Sequence, residues 1–587
     1  RAVASESQGY DDGVVRPIYT ETRYNNLGFM IWATKPYFAG DVVYKASTSY
    51  DVLGRPVTLI DAQNQTSTIA YNGLSVTYTN PKGQSRTEIV NALGQKTQTT
   101  DHLGGNVWYG YDAFLNMVYM KDQAGNETKI AYNIRGHKIK MQDPDQGTWE
   151  YTYYADGSLK TQKDAKGQVT TSTYDVLNRL KTRRDHDGKT ATWVYDTCFY
   201  GKGKLCSVSD GTYSESFAYD SLGRPTLNTS TIDGVSYSFT NRYDSLSRVS
   251  EVVYPNNFTV TNQYHGSLGF LQQVNNKATS AKLWEAKAFN STGQLDAFQL
   301  GGVLNLTHFY NPQSGLLNSI DARVGVSPLA SLQYTWDGIG NLTRRYDDVS
   351  KVTDTFTFDA LSRLTNTATL YNGVTTNVAV AYDSLGNITS KSDVGAYVYK
   401  QACNGITAGP HAATTIAVKL YCYDANGSQI SGDSRTITYT PFNKPSRIVK
   451  AGNTTDFFYD PDRSYYKKVE SGTQGASTTV IVGAYEKETK GTVVTHRVQV
   501  GDSILIETKN NVQSTLFLIK DHLGSLVTVV DSLGTIKERL SYDLWGKKTS
   551  PNRRNIPFDI EATALLAAFV HPNHIVYYAH GVYSFAA

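Results

Sequence analysis

The feature that most constrains this chain is a tyrosine that returns at a constant step of 21 residues. The step holds through one long stretch of the sequence, at Tyr111, Tyr132, Tyr153, Tyr174 and Tyr195. A fixed period over this many copies predicts a repeat architecture, which has to be settled before any motif is interpreted. A second signal, Asp followed by Gly, comes about half-way through each unit. Two turn signals separated by short alternating runs predict one β-hairpin per unit.

The tyrosine opens a motif of the form Tyr-Asp-x-Leu-Gly-Arg, and each of its positions has an architectural explanation. The copy at Tyr50–Arg55 shows the motif in full. Gly permits the positive φ of a tight turn, and the Asp before it suits an Asx turn that accepts hydrogen bonds from backbone amides. We expect the tyrosines to form aromatic ladders between neighbouring strands. We also expect the Leu to be buried on the core face and the Arg to face solvent.

Variants of this motif recur along most of the chain, so the hairpins are expected to stack. A single hairpin cannot bury its own face, but stacked hairpins form one long twisted sheet, which at this strand number must curl or split. The sequence therefore predicts an all-β fold, a long antiparallel ribbon of hairpins that spirals into a hollow, cocoon-like shell. One short Ala-rich helix, capped by Asp559 and running through Val570, is expected near the C-terminus. The predicted parts are an N-terminal cap of strands (1–49), the repeat shell (50–393), an insertion (394–420), a continuation of the repeat (421–548) and a divergent C-terminal segment (549–587).

Composition excludes several classes of function. Lys and Arg total 56 and Asp and Glu total 53, so a net charge of +3 leaves no basic stripe for nucleic acid. No apolar run reaches the ~18 residues that a membrane helix needs. The four cysteines form no CxxC pair, which argues against a zinc site, and their local spacing permits the disulfides Cys198–Cys206 and Cys403–Cys422, with free thiols as the alternative. The chain starts at Arg1 without a signal peptide, which suggests a mature or truncated fragment of a longer protein.

Three short stretches superficially suggest chemistry. Asp143–Gly147 (DPDQG) and Asp460–Arg463 (DPDR) each contain an Asp-Pro pair, but both occupy a regular turn position, which favours a turn role. Asp521 and His522 suggest acid–base chemistry, yet the same Asp-His-Leu-Gly form occurs inside the repeat at 101–104. All three stretches are therefore interpreted as turns.

Three histidines lie close together near the C-terminus: His571, His574 and His580. The spacing of the first two would suit two metal ligands on one helical face. Pro572 argues against a continuous helix there, and no cysteine or carboxylate pair completes the set. The sequence therefore predicts no catalytic residue, no metal site and no cofactor.

The tandem Tyr-Asp-x-Leu-Gly-Arg motif with its 21-residue step resembles the YD repeat of Rhs (rearrangement hotspot) proteins. Residues 519–549 (IKDHLGSLVTVVDSLGTIKERLSYDLWGKKT) are similar to the start of the core that ends such arrays. Stretches between residues 423 and 469 (YDANG, TITYTPFNKPSRI, FFYDPDRSYYKKV) are similar to the segment that precedes that core. The resemblance implies a sheet wound into a cocoon, as in the B and C components of Tc toxins, bacterial Rhs effectors and the teneurin shell.

In toxin members of this family the cocoon encloses a C-terminal toxic segment, and an aspartyl site in the core separates shell from cargo. The segments expected after the last repeat (GFTGHE, RxYDPxxGRF, DPxG) do not occur in this chain, and residues 552–587 align with none of them. The resemblance therefore implies a non-enzymatic shell of a secreted or cell-surface, toxin-like bacterial protein. Its expected partner is its own C-terminal cargo or a companion toxin-complex or cap protein.

Two alternatives remain open at this stage. The first is a cell-surface adhesion or glycan-binding protein, in which the 394–420 insertion and the Cys198–Cys206 loop contact a glycan or receptor. The second is an aspartyl autoprotease with a diverged core.

Overall fold

A computed structural model describes residues 3–473 and 475–549, and within these ranges the fold is all-β. Fifty-one strands form one continuous sheet, every pairing in it is antiparallel, and two small two-stranded sheets complete the described chain. This confirms the predicted fold class of a long antiparallel ribbon. The helix expected between Asp559 and Val570 lies outside the described residues.

The strands follow one another in chain order and are numbered accordingly. β1 to β14 are Ala4–Asp11, Val14–Tyr24, Met30–Thr34, Tyr37–Phe38, Lys45–Tyr50, Pro56–Ile60, Thr66–Asn72, Ser75–Thr79, Ser85–Val90, Lys96–Thr100, Asn106–Tyr111, Met117–Lys121, Glu127–Tyr132 and Lys138–Asp143. β15 to β28 are Gly147–Tyr153, Leu159–Lys163, Val169–Tyr174, Leu180–Arg184, Thr190–Tyr195, Leu205–Ser209, Tyr213–Tyr219, Pro225–Ile232, Val235–Tyr243, Val249–Val253, Thr259–Tyr264, Leu271–Asn276, Lys282–Phe289 and Leu295–Leu300. β29 to β42 are Leu304–Tyr310, Leu317–Val324, Ser327–Trp336, Leu342–Asp347, Val352–Phe358, Leu364–Tyr371, Val374–Tyr382, Ile388–Lys391, Gly395–Tyr399, Ala402–Cys403, Ile406–Thr407, Ala413–Ile416, Lys419–Tyr423 and Gln429–Gly432. β43 to β55 are Arg435–Tyr439, Pro445–Lys450, Asn453–Tyr459, Tyr465–Ser471, Ser477–Val482, Tyr485–Lys490, Val493–Val500, Ile504–Lys509, Val512–Lys520, Leu526–Asp531, Ile536–Arg539, Ser541–Tyr542 and Lys548–Thr549.

Each 21-residue unit is two strands and two turns, as the period predicts. In the regular block the motif tyrosine is the last residue of its strand, as Tyr111 is in β11 and Tyr132 in β13. The pairing register slips by one residue at this tyrosine in unit after unit, for example between Gly110 and Tyr111. A bulge of this kind increases the local twist and re-aims the side chain beside it. The bulge is a regular part of the repeat that the sequence pattern does not reveal.

The sheet winds on itself, so that residues far apart in the sequence touch. The Gln272 amide donates to the Tyr10 hydroxyl across 262 residues, and further contacts join residues between 255 and 278 apart. Near the end of the ribbon the separation falls to 188 residues, between Tyr334 and His522. The winding therefore shortens toward the C-terminal end. We call β1 to β25 the first winding and β26 to β49 the second winding. β50 to β53 pack against strands from β28 to β31 and are the start of a third winding.

Antiparallel strands place alternate turns on opposite edges of the ribbon. The turns that follow the motif tyrosine, such as 51–55 and 337–341, share one edge, which we call the YD edge. The remaining turns, such as 61–65 and 122–126, share the other edge, which we call the counter edge.

The packed core lies at the C-terminal end of the spiral. It joins strands from β21 to β31 with strands from β46 to β52, and its most deeply buried side chains include Leu300, Leu304, Val498 and Val530. By contrast, the long stretch between Ala39 and Thr190 contains just three buried residues, Ala62, Asp164 and Ser172. A sheet with a second layer packed on it shows alternating buried positions along its strands. The part of the first winding from β5 to β18 is therefore a single-layer wall.

Candidate functional site

The repeated YD turn is the structural unit from which any site on this shell is built. In the turn at 51–55 the Asp51 carboxylate accepts hydrogen bonds from the amides of Leu53 and Arg55, both at 2.9 Å. Gly54 has φ = 78°, the left-handed value that glycine adopts without strain. The same pair of bonds recurs in turn after turn along the ribbon. The predicted Asx turn is confirmed.

The expectation that the motif arginine faces solvent is wrong. Arg224 donates through Nε to the Asp220 carboxylate at 2.7 Å, and its guanidinium lies 4.5 Å from the ring centre of Tyr243, the tyrosine of the next unit. Arg55, Arg179, Arg248 and Arg363 repeat this arrangement. Arginine is suited to both contacts because its flat guanidinium binds a carboxylate and stacks on an aromatic face. The arginine therefore links one repeat to the next.

The expected aromatic ladder also takes a different form. Successive motif tyrosines are separated by an intervening strand, so they stand about 9–10 Å apart, too far for ring contact. The arginine fills this gap, and the tyrosine hydroxyl donates instead to a backbone carbonyl at the start of the preceding strand. Tyr243 donates to the Pro225 carbonyl at 2.7 Å, and Tyr153 to the Lys138 carbonyl at 2.7 Å. The ladder runs through hydrogen bonds and cation–π contacts.

The expectation that the motif leucine is buried is wrong for the first winding. Leu53, Leu177 and Leu222 are 72%, 67% and 70% exposed at the apices of their turns. In the second winding the equivalent Leu361 and Leu385 are half-buried. The leucine points beyond the edge of the ribbon, so whether it is covered depends on what lies against that edge.

The counter edge of the first winding meets the YD edge of the second winding along a polar seam. Lys82 donates to the Asp337 carboxylate and Lys166 to the Asp424 carboxylate, both at 3.0 Å. The Gln123 amide donates to a carbonyl of the YD turn at 383–387. Each contact joins a turn on the counter edge of the first winding to a YD turn of the second winding. The two windings therefore meet through opposite edges of the ribbon.

Residues 400–412, within the predicted insertion, also lie at this seam. His411 Nδ1 is 2.7 Å from the Asp145 carboxylate, and Lys400 donates to Asn126 at 3.2 Å. β37 and β40 continue the main sheet on either side, while β38 and β39 form a separate small hairpin. The segment therefore holds two windings together.

Both Asp-Pro stretches are turns, as predicted. The Asp143 carboxylate accepts from the amides of Asp145 and Gln146, and the Asp460 carboxylate accepts from the amide of Ser464. The Asp521-His522 stretch has the same geometry, since Asp521 accepts amides from its own turn.

Burial at the seam gives two carboxylates an unusual titration. Burial raises the pKa of Asp460 to about 6, with the nearby charges of Asp462 and Glu215 acting in the same direction. Burial also raises the pKa of Glu215. Trp193 donates to Asp462 at 3.2 Å and so places these groups between the two windings. Asp460 and Glu215 therefore bind a proton more tightly in the folded protein than in the unfolded chain.

A buried ion network, which sequence reasoning missed, joins three neighbouring strands. Arg497 lies between Glu486 and Glu507 in the pairing register of β48, β49 and β50, and its Nε donates to Glu507 at 3.0 Å. Arg497 also pairs with Glu486 and, at 2.9 Å, with Glu488. Burial raises the pKa of Glu486. The sequence does show Glu and Arg residues of opposite charge in consecutive hairpins. It does not show the pairing register that places Glu486, Arg497 and Glu507 side by side.

A cavity of about 1680 Å³ opens between strands β25 to β27 and strands β49 to β53. Its polar lining includes Asn256, Lys277, His496, Glu507, Asp531 and Lys537. Within residues 3–473 and 475–549 no group of three or more His, Cys, Asp or Glu side chains could hold a metal ion. His571, His574 and His580 lie outside the described residues.

Both permitted disulfides are formed, Cys198–Cys206 and Cys403–Cys422. The first closes the turn between β19 and β20 on the YD edge and the second ties the β38 hairpin to β41. The search of the described part of the chain for a helix long and apolar enough to cross a membrane found none.

Comparison with known proteins bears on this geometry directly. Residues 303–566 match the family model of the teneurin YD-shell. The chain also superposes on the crystal structure of TcdB2-TccC3-Cdc42 with a TM-score of 0.79 at 15% identity, over 93% of this chain and 34% of that chain. The chain therefore has the fold of a YD-repeat shell. TcdB2-TccC3 without its hypervariable C-terminal region gives a TM-score of 0.80 at 15% identity, with the same coverage of 93% and 34%.

The Photorhabdus luminescens Tc holotoxin pore with a TccC3 mutation is similar to this YD-repeat shell as well, with a TM-score of 0.78 at 14% identity over 93% of this chain and 33% of that chain. The YD-repeat shell spans about a third of the length of the solved structures it matches. No curated protein sequence matches it significantly. At these identities the likeness establishes the shared fold.

Proposed function

We propose that this YD-repeat shell is the wall of a container that holds a cargo polypeptide in a secreted or cell-surface, toxin-like bacterial protein, and that it acts without catalysis. One observation carries the proposal. The first winding closes on the second through the seam, yet from Ala39 to Thr190 its strands have almost no buried residues. A spiral filled by its own chain would bury one face of each strand. The space inside this wall is therefore left for something else.

Two further observations support containment. The winding shortens toward the C-terminal end, where the packed core lies, so the wall narrows on one side. The structures that share the fold include TcdB2-TccC3, whose crystal form without the hypervariable C-terminal region has the same likeness to this chain. A wall of paired strands suits containment because every backbone group is satisfied within the sheet, leaving side chains alone to contact the contents.

Protection of an appended segment tests the proposal. A disordered 80-residue reporter with protease sites is fused after Ala587 in one protein and before Arg1 in a second. We expect the C-terminal reporter to be cut at least ten times more slowly than the N-terminal one. Equal cleavage of the two reporters would overturn containment.

Opening the seam provides the matched control. Lys82→Glu combined with Lys166→Glu places two carboxylates against Asp337 and Asp424, and like charges repel across the seam. This pair should restore cleavage of the C-terminal reporter. Lys181→Glu, on the exposed face of β18, makes the same change of sign away from the seam and should leave protection intact.

A second candidate, adhesion to a glycan or receptor, is favoured by one feature. The Cys198–Cys206 loop holds Phe199 and Tyr200 with their ring centres 4.1 Å apart, and Phe199 is largely exposed. Exposed aromatic pairs are typical anchors of binding surfaces. The 394–420 segment does not support this candidate, because its residues 400–412 are engaged at the seam. Loss of glycan-array binding on Phe199→Ser would favour adhesion over containment.

A further inference from the structure

Arg435, in β43, is a buried arginine with two unused hydrogen-bond donors. The residue is 5% exposed, yet its Nε and Nη1 have no hydrogen-bond partner among residues 3–473 and 475–549. Burial lowers the pKa of Arg435, but an arginine keeps its charge in a protein all the same. A buried cation without a partner is strongly unfavourable, so these two donors point to a ligand.

The strand pairing places a second cation directly opposite Arg435. In the register of β43 with β44, Arg435 is the partner of Lys450. On its other side, the partner of Arg435 in β42 is Gly432, which contributes no side chain. Like charges at opposed positions of a sheet destabilise it, and an anion bound beside them removes that repulsion.

The carboxylate closest to these cations is already engaged. Asp433 accepts from Lys450 at 2.9 Å and also from Lys419, and the two ammonium groups hold its pKa at about 2. Asp433 bonds neither of the two unused donors of Arg435. Lys419, Lys450 and Arg435 together with Asp433 carry a net charge of +2. The local charge therefore suits a bound dianion.

A cavity of about 530 Å³ opens at this place, beside the turns that join β40 to β41, β42 to β43 and β44 to β45. Arg435, Lys419 and Asp433 all line it. Its lining also includes the hydroxyl side chains of Ser431, Ser434 and Thr436. A volume of this size is in the range of small-molecule pockets, and hydroxyl groups add hydrogen bonds to a bound oxygen.

We propose that this cavity binds a phosphate group, either as inorganic phosphate or as the monoester of a small polar molecule. Arg435 donates to the phosphate oxygens, and the hydroxyl side chains complete the contacts. A phosphate monoester carries a charge of about −1.5 to −2 at pH 7, which matches the surplus of positive charge. Arginine is the residue best suited to this role, because its planar guanidinium binds phosphate with several donors. The proposal does not depend on what the shell encloses.

Phosphate-dependent protection of the cavity strands tests the proposal in the full chain. We expect phosphate at ten times its dissociation constant to slow native-state amide exchange in β42 and β43 about tenfold, relative to potassium chloride of equal ionic strength. Phosphate salts also stabilise folded proteins in general, so exchange in β8, in the first winding, is the control and should change less than about twofold. Equal slowing in β8 and β43, or equal slowing by chloride, would overturn the proposal.

Two arginine variants locate the binding. Arg435→Met removes the donors and keeps a long side chain, so it should weaken phosphate binding at least about tenfold, measured by the broadening of the phosphate signal in ³¹P NMR. Arg447→Met is the matched control, because Arg447 lies in the neighbouring β44 on the opposite face of the sheet, paired with Asp456. It should bind phosphate as the unaltered chain does.

Phosphate binding that survives Arg435→Met would overturn the proposal, as would the absence of broadening with the unaltered chain. The comparison of phosphate with chloride in the unaltered chain remains decisive even if Arg435→Met fails to fold. A parallel titration with glycerol phosphate separates the two sources of the group. Tighter binding of glycerol phosphate would support an ester as the ligand, and tighter binding of inorganic phosphate would support the free ion.

Discussion

Gly301 is the position at which contact between windings can be tested most sharply. Gly301 and Gly302 share the turn between β28 and β29, and both have positive φ, 58° and 72°. A Cβ at Gly301 would strike the ring of Phe517 in β51, at the start of the third winding, whereas a Cβ at Gly302 has nothing within 4 Å. Alanine at either site therefore has the same backbone strain, and alanine at Gly301 alone disturbs the packing.

The expected loss of stability in each variant follows from backbone strain and from overpacking. Left-handed backbone costs alanine about 1–2 kcal/mol at either position. Overpacking against Phe517, which is 1% exposed and has no room to move, adds about 1–3 kcal/mol for Gly301→Ala. The difference corresponds to about 5-fold to 150-fold faster opening of the contact between the windings. Because a sheet of this length need not unfold in one step, a local measurement is required.

Native-state amide hydrogen exchange in β29 and β51 is the assay. We expect Gly301→Ala to speed exchange in both strands well beyond the effect of Gly302→Ala. Adding Phe517→Leu to Gly301→Ala should recover part of the loss, because the shorter side chain vacates the space of the ring tip. Indistinguishable exchange in the two alanine variants would refute the contact between windings and, with it, the spiral.

Three further predictions concern the seam, the repeat link and the disulfide loop. Because the folded-state pKa of Asp460 is about 6 and above its unfolded value, the folded state binds the extra proton, and local stability should fall by up to about 3 kcal/mol as pH rises from 4 to 7. Amide exchange in β45 and β46, corrected for the intrinsic effect of pH on exchange, should show this fall, and Asp460→Asn should flatten it. Arg224→Ala should speed amide exchange in β22 about threefold to tenfold through loss of the Asp and Tyr contacts, whereas the exposed Arg242→Ala should leave it within twofold. Replacing Cys198 and Cys206 by Ser should destabilise their loop by about 2–3 kcal/mol, measured by local exchange, and an unchanged rate would contradict a formed disulfide.

The period of the sequence was sufficient to predict the strands and the turns, because both depend on residues within a few positions of one another. Asp51 and Gly54 act on their own turn, so their roles could be read locally. The side chains that reach further were predicted wrongly. Arg224 contacts Tyr243, which is 19 residues further along the chain. The burial of Leu222 depends on whether another winding covers it.

The seam was beyond prediction for a simple physical reason. Lys82 and Asp337 are 255 residues apart, and nothing near either residue encodes the circumference of the winding. The circumference comes from the small twist and bulge added at each repeat and summed over many strands. An error of one strand in that sum would pair Lys82 with a different turn. The burial that raises the pKa values of Asp460 and Glu215 was unpredictable for the same reason, because it depends on which strands the winding brings together.

The two directions of this wall are bonded in different ways, and that has a mechanical consequence. Along the ribbon neighbouring strands of the main sheet are joined by ladders of backbone hydrogen bonds, reinforced by the arginine link. Across the seam the windings are joined by a few side-chain contacts per repeat, such as Lys166 with Asp424. A load applied between the windings therefore meets far less resistance than a load along the strands. Under load, the side-chain contacts of the seam should break first. The windings should then separate and uncoil while the hydrogen-bonded ribbon stays intact.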